Sequence, residues 1–380
     1  MNIAVNTRLL LDNRLEGIGW FTCETLKRIV IQHPEHTFYF IFDRPYSKKF
    51  IFSDNVIPVV TGPQARHPVL FYLWFEFSVP RALKKIKADI FISPDGYGSL
   101  RCKIPSLLVM HDLNFEHYPQ DLPWIITKYY KYFFPRFAKK TERIATVSEF
   151  SKKDIMDCYG IPEQKIDVVY NGVNENYHPI PDEEKDAVKK RFTSGCDFFI
   201  YIGALLPRKN LKNLFLAYDI FRKQNHTDIK LLIVGARMWW TPDMEATINS
   251  LKYKKDIIFT GRLNSKELND TLCSALALTY VSYFEGFGIP ILEAFRCDVP
   301  VITSNVTSMP EVAGNAALLA DPFDPASIAA AMTKIASDTG LRDSLILKAR
   351  ERRTAFSWDH TAKLFWQSIE KIINNLSSDK

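Results

Sequence analysis

The sequence predicts an α/β protein made of two doubly wound, parallel-sheet domains. Short β-rich runs alternate with amphipathic stretches, the alternation occurs twice, and 380 residues exceed what a single hydrophobic core comfortably serves. In the first half the runs are HTFYFIF, ADIFISP, SLLVMHD and RIATVS, and in the second DFFIYIG, IKLLIVG, DIIFTG, ALALTYVS and VPVITS. Strands of this kind are apolar on both faces, which suits a parallel sheet covered by helices on either side. The join falls in DVVYNGVNENYHPIPD, Asp167 to Asp182, where a strand closes in Asn-Gly and the chain becomes polar and proline-punctuated. The expected domains are residues 1–172 and 173–357, with a C-terminal helix over about 358–380 packing back on the first. Ligands of open α/β sheets bind beyond the carboxyl ends of the strands. Two such sheets facing each other enclose a cleft lined by the residues that follow strands.

Composition narrows the function classes. A chain that is 47% hydrophobic and 24% charged folds and is soluble rather than disordered or fibrous. Its longest apolar runs, DFFIYIGALL and ALALTYV, fall short of the roughly 20 residues that span a bilayer. The N-terminus lacks a charged leader followed by a long apolar core, and the six cysteines form no CxxC pair, so a reduced, cytoplasmic protein is expected. The net charge of +6 is too small for a nucleic-acid footprint, and +5 of it sits in residues 1–172.

Taken in chain order, the residues after strands carry the chemistry. Glu16-Gly17-Ile18-Gly19-Trp20 offers GxG, but Thr22 stands where a dinucleotide fingerprint needs its third glycine, leaving a glycine turn close to phosphate as one option. His111 and Asp112 follow the SLLVM strand, where a histidine serves structure or catalysis. Trp124 to Lys140 interleaves aromatics with cations, as would a core-facing helix with solvated lysines or a face lying on an anionic membrane; Pro135 interrupts it. Ser151 to Asp154 has capping-box spacing and marks a helix start.

In the second half, Ala204-Leu-Leu-Pro-Arg208-Lys209-Asn210 follows a strand and opens a helix at or just after Asn210. The adjacent cations there suit either a solvated basic loop or, with helix-end amides, a diphosphate. Glu285-Gly286-Phe287-Gly288-Ile289-Pro290 follows the next strand. Its glycines permit close backbone approach, and its amides with the helix start form an anion nest. Glu285 lies in the loop and Glu293 in the first helical turn, so both carboxylates are expected to face one pocket and accept vicinal hydroxyls. Glu293 alone is equally explained as a favourable charge near a helix N-terminus.

Together these motifs resemble the family 4 retaining glycosyltransferases of GT-B fold, whose mark is E-x7-E, here Glu285 to Glu293 within EGFGIPILEA. The resemblance runs through the GIG turn, HDL at 111–113, TVSEFSKKDI, VVYNGV, GALLPRKNL, VGAR, FTGRL, EGFG, VPVITSNVTSMPEVAG and FSWDHTA. It implies that Arg208 and Lys209 hold the donor diphosphate and that Glu293 binds ribose hydroxyls. Glu285, with the amides of Phe287 and Gly288, would hold the donor sugar, with His111 against its anomeric region. Gly17 to Gly19 would close over the phosphate, and Gly261-Arg262-Leu263 would contact the base. The family usually has an acidic residue before PRKN, where this chain has Leu205-Leu206.

The HDLNFEHYPQDLP and FSWDHTA versions are most similar to bacterial mannosyltransferases of polysaccharide assembly. They imply GDP-mannose as donor, a glycan or lipid-linked acceptor, and a place in the cytoplasm or on the inner face of the cell membrane. No metal or other cofactor is expected, because the two cations replace it and no DxD-type pair follows a strand. A GT-B-shaped sugar-nucleotide epimerase and a catalytically dead nucleotide-sugar-binding scaffold are the alternatives.

Overall fold

A computed structural model describes residues 1–12, 15–237 and 240–378. The chain divides into two compact units, Met1–Gly172 together with Ser357–Lys380, and Val173–Phe356.

The first unit holds strands β1 (Asn2–Asn6), β2 (Thr37–Phe42), β3 (Val56–Val60), β4 (Ile90–Ser93), β5 (Ser106–Met110), β6 (Arg143–Thr146) and β7 (Ile166–Val168). All pair in parallel in the order β3-β2-β1-β4-β5-β6-β7. Alternation sorts their side chains to the two faces. Phe38, Phe40, Ile90 and Ile92 join one core with Phe21 of the helix Gly17–Gln32 and Phe365 of the helix Trp358–Ser378. Ile41, Phe91 and Leu108 join the other with Trp74, Phe75, Phe134 and Phe137. Each fully buried side chain of this size contributes about 1.5–3 kcal/mol. The returning helix thus completes the first unit's core. A Cβ at Gly172 would lie 2.4 Å from the Trp358 amide nitrogen, so only glycine fits where the chain leaves the unit beside the place it comes back.

The second unit holds β8 (Phe198–Ile202), β9 (Lys230–Val234), β10 (Ile257–Gly261), β11 (Ala277–Tyr280), β12 (Val301–Ser304) and β13 (Leu318–Ala320). They are parallel in the order β10-β9-β8-β11-β12-β13. In both sheets the winding direction reverses between neighbouring strands, β1 and β4 in one and β8 and β11 in the other, and such reversals open a crevice at the strand ends. In the first unit a buried ion pair fills that point: Arg8 Nε donates to Asp95 Oδ2 at 2.6 Å, beneath the Tyr97 ring.

Several expectations change. The glycines at 17 and 19 are not a turn but the first and third residues of the helix Gly17–Gln32. Pro135 does not interrupt the helix Trp124–Lys140, because burial of Phe134, Phe137 and Ala138 outweighs the lost backbone bond. The helix expected at Ser151 starts earlier, at Glu149, with Ser148 Oγ capping the Ser151 amide at 3.0 Å. The strand before Asn171-Gly172 stops at Val168. No described helix is long and apolar enough to cross a membrane, and the six cysteines are free thiols.

Candidate active site

Strands β8 and β11 are paired neighbours, so the loops leaving their carboxyl ends start side by side. After β8 the chain makes a 3-10 turn, Pro207–Lys209, and Asn210 follows in the left-handed region at φ 61°, a conformation asparagine tolerates. The Asn210 side chain does not cap the helix Leu211–Asn225 that begins there. Its amide donates instead to Val281 O at 2.9 Å and Pro322 O at 2.6 Å, and the Tyr283 amide donates to Arg208 O at 3.1 Å. These bonds pin the two loops together. Of the Leu205-Leu206 pair before Pro207, Leu205 is fully buried.

The loop after β11 carries Glu285, only 6% exposed. Arg208 Nη1 donates to Glu285 Oε2 at 2.6 Å and to Phe284 O at 3.1 Å, while Lys209 Nζ pairs with Oε1. The Tyr280 hydroxyl accepts from Lys209 at 2.6 Å and donates to Glu285 Oε1 at 2.9 Å. Burial by itself would raise the Glu285 pKa. Arg208 and then Lys209 outweigh it and hold the group at about 2, so the carboxylate is ionised at neutral pH.

Gly288, at φ 103°, turns the chain into the helix Ile289–Arg296, with Pro290 in the first turn. Ser308 Oγ lies 2.9 Å from Glu285 O and 3.1 Å from Phe287 O, which fixes the loop from beneath. Glu293 falls in the second turn of this helix, not the first. Its electrostatic partner is the Tyr177 hydroxyl, which favours the charged carboxylate. Burial raises its pKa to about 7, against the pull of that hydroxyl.

Gly261 closes β10 at φ 72°, and its carbonyl accepts from the Gly235 amide at 3.0 Å; Leu263 is half-buried just beyond. In the first unit, His111 follows β5, and its ring meets Phe21, from the helix that Gly17 and Gly19 begin, edge-on at 5.2 Å. His111 Nε2 lies 2.8 Å from Pro94 O, and since a carbonyl only accepts, that nitrogen carries the proton. Burial lowers the His111 pKa and favours the neutral ring.

The fold thus gathers Arg208, Lys209 and Glu285 into one cluster, with the Phe287 and Gly288 backbone beside it. Sequence reasoning missed three side chains that support this region. Tyr280 passed for a core aromatic of a strand, Ser308 lay unremarked within SNVTSMPEVAG, and Tyr177 sits in a polar linker with no local signal.

Comparison with known proteins accords with this geometry. The Glycosyltransferase Family 4 model matches residues 17–177, and the Glycosyl transferases group 1 model matches residues 182–352. The O-antigen chain mannosyltransferase B of Escherichia coli is 29% identical over 280 residues, covering 73% of each chain. The O-antigen chain mannosyltransferase RfbU of Salmonella typhimurium is 29% identical over 289 residues, covering 74% of each. Among solved structures, sucrose-phosphate synthase of Thermosynechococcus elongatus superposes with a TM-score of 0.78 at 17% identity, covering 98% of this chain and 99% of that one. HepE of Anabaena, in complex with UDP-glucose, gives 0.71 at 15% identity over the whole of both chains.

Proposed function

This chain belongs to the glycosyltransferases of GT-B fold, and on that premise we propose that it moves mannose from GDP-mannose to a glycan or lipid-linked saccharide in cell-surface polysaccharide synthesis. The observation that carries the reading is the Arg208–Glu285–Lys209 cluster around a buried carboxylate at the sheet's reversal point, beside a helix start with a glycine N-cap. The mannosyl donor and the polysaccharide setting are supported by the names of the two enterobacterial relatives.

The donor diphosphate is held by Arg208 and Lys209 with the amides of Phe287 and Gly288, and Glu285 accepts sugar hydroxyls. Glu293 grips the ribose, and Gly261 to Leu263 face the base. Fixed cations and amides aimed at a leaving group need no reorganisation as charge develops, so they substitute for a metal. Transfer retains the anomeric configuration: the bond from C1 to phosphate oxygen breaks as the acceptor oxygen bonds C1 on the same face. The acceptor proton passes to the departing phosphate.

A peripheral position on the inner membrane face is supported by the helix Trp124–Lys140. Trp124, Ile125 and Tyr132 are exposed, with Lys128 over the Trp124 ring at 4.0 Å and Arg136 over Tyr132 at 3.7 Å. Aromatics and cations on one face suit an anionic bilayer surface.

The test is incubation with a panel of nucleotide sugars, with and without membrane extract. Release of GDP from GDP-mannose that depends on the extract is expected. An isomerised donor without release would make the protein an epimerase, and binding without turnover a scaffold. A trapped covalent glycosyl-enzyme would overturn the same-face mechanism.

A further inference from the structure

We propose that the first unit carries a binding site for a divalent, borderline-soft cation of the zinc class, formed by His117, Asp154 and Cys158. One donor atom from each side chain lies within 4.8 Å of the other two. His117 Nε2 is 2.7 Å from Asp154 Oδ1, Cys158 Sγ is 3.5 Å from the same oxygen, and Cys158 Sγ is 3.9 Å from His117 Nε2. Ligands held tetrahedrally at zinc bond lengths of about 2.0–2.3 Å stand about 3.3–3.8 Å apart. The triad therefore needs only the His117–Asp154 contact to open slightly.

The sequence spacing is suited to the task. Asp154 and Cys158 are four residues apart in the helix Glu149–Tyr159 and share one of its faces. His117 ends the short helix Asn114–His117 opposite them.

A second observation points to a ligand. Asp154 is only 9% exposed, and its Oδ2 is buried without a hydrogen-bond partner. An unpartnered buried carboxylate oxygen is costly, and a cation held by both oxygens of the Asp154 carboxylate as well as by the nitrogen and sulfur would remove that cost. On binding, the metal displaces the thiol proton to solvent, and the His117 proton moves from Nε2 to Nδ1 so that the Nε2 lone pair faces the metal.

The donor set selects the ion. Mixed nitrogen, sulfur and oxygen ligands suit zinc, whereas magnesium and calcium call for oxygen alone. His117 and Cys158 are exposed, so a fourth position opens to solvent, in a groove flanked by Lys131 and Lys139. None of these residues belongs to the proposed donor site, and the ion would fasten the 114–117 segment to the helix behind it rather than act in transfer.

The test uses the full-length, untagged chain stripped with a chelator. Zinc added against a chromophoric chelator should bind one per chain, and cobalt(II) should give a thiolate-to-metal charge-transfer band with the strong visible bands of a tetrahedral site. Cys158→Ser should abolish the charge-transfer band, and His117→Ala should weaken zinc binding about tenfold or more. Both positions are exposed, so the fold should survive, as circular dichroism would verify. In the unaltered protein, zinc should protect Cys158 from iodoacetamide, located by peptide mass spectrometry. Absence of stoichiometric binding, a cobalt band that persists in Cys158→Ser or vanishes in Cys273→Ser, or unprotected Cys158 would each overturn the site.

Discussion

Arg208 and Glu285, 77 residues apart in sequence, meet in an ion pair of 2.6 Å between two loops that leave adjacent strands. A second cation, Lys209, shares the carboxylate. Replacing Arg208 by Ala should lower kcat by about 10²–10³-fold, the usual cost of deleting one preorganised charge-stabilising group. Arg208→Lys should restore only part of this, since an ammonium lacks the planar fork. Release of nucleoside diphosphate measures both.

Glu285 also predicts an acid limb of stability. Its folded pKa, about 2, lies below the ordinary 4.5, so its contribution is complete above the ordinary value and is lost as pH falls toward 2. The full effect is roughly 3 kcal/mol. Chemical denaturation across that window should show the loss, and Glu285→Gln should flatten it.

Glu293 behaves oppositely. With its folded pKa raised to about 7, the protonated form dominates below that pH, and its stabilising effect is lost as pH rises from 4.5 through 7. If its carboxylate grips ribose hydroxyls, nucleotide affinity should increase as pH passes through about 7, and calorimetry should find that dependence gone in Glu293→Gln. The Tyr177 bond lowers the Glu293 pKa, so Tyr177→Phe should move the transition to higher pH.

The exposed face of the helix Trp124–Lys140 should bind vesicles containing anionic lipid in preference to neutral ones. Each basic side chain near such a surface contributes about 1 kcal/mol. Reversing Lys128 and Arg136 to Glu should weaken cosedimentation by roughly tenfold or more, while Trp124→Ala should weaken it even toward neutral lipid.

If Arg208 and Lys209, paired with Glu285, take the role metal ions would play, transfer should proceed unchanged when magnesium and manganese are withheld. A rate restored specifically by magnesium after chelation would contradict this.

The central strands were legible because burial on both faces leaves a continuous apolar run. The strands without such a run were not: β3 carries Pro58 at a sheet edge, β13 is three residues long at another edge, and β1 is the chain's first segment. Arg208, Lys209 and Glu285 stood out because charges directly after apolar strands are locally conspicuous. Tyr280 did not, since a hydroxyl at a strand end looks like core until its two charged neighbours are seen. Glycines 17 and 19 misled because a GxG pair signals a turn only when the residues around it do not start a helix. His117, Asp154 and Cys158 come together through two helices packing, and no spacing between positions 117 and 154 announces that.

The path of the backbone also sets an order of assembly. The second unit is one uninterrupted segment, whereas the first is built from both ends of the polypeptide. On a ribosome the second unit could finish before the first, whose Phe21 and Ile29 must wait for Phe365 and Ile369 to be synthesised. Deleting the last two dozen codons would therefore strip the amino-terminal half of its cover, and protease would attack there while the intervening segment stayed intact.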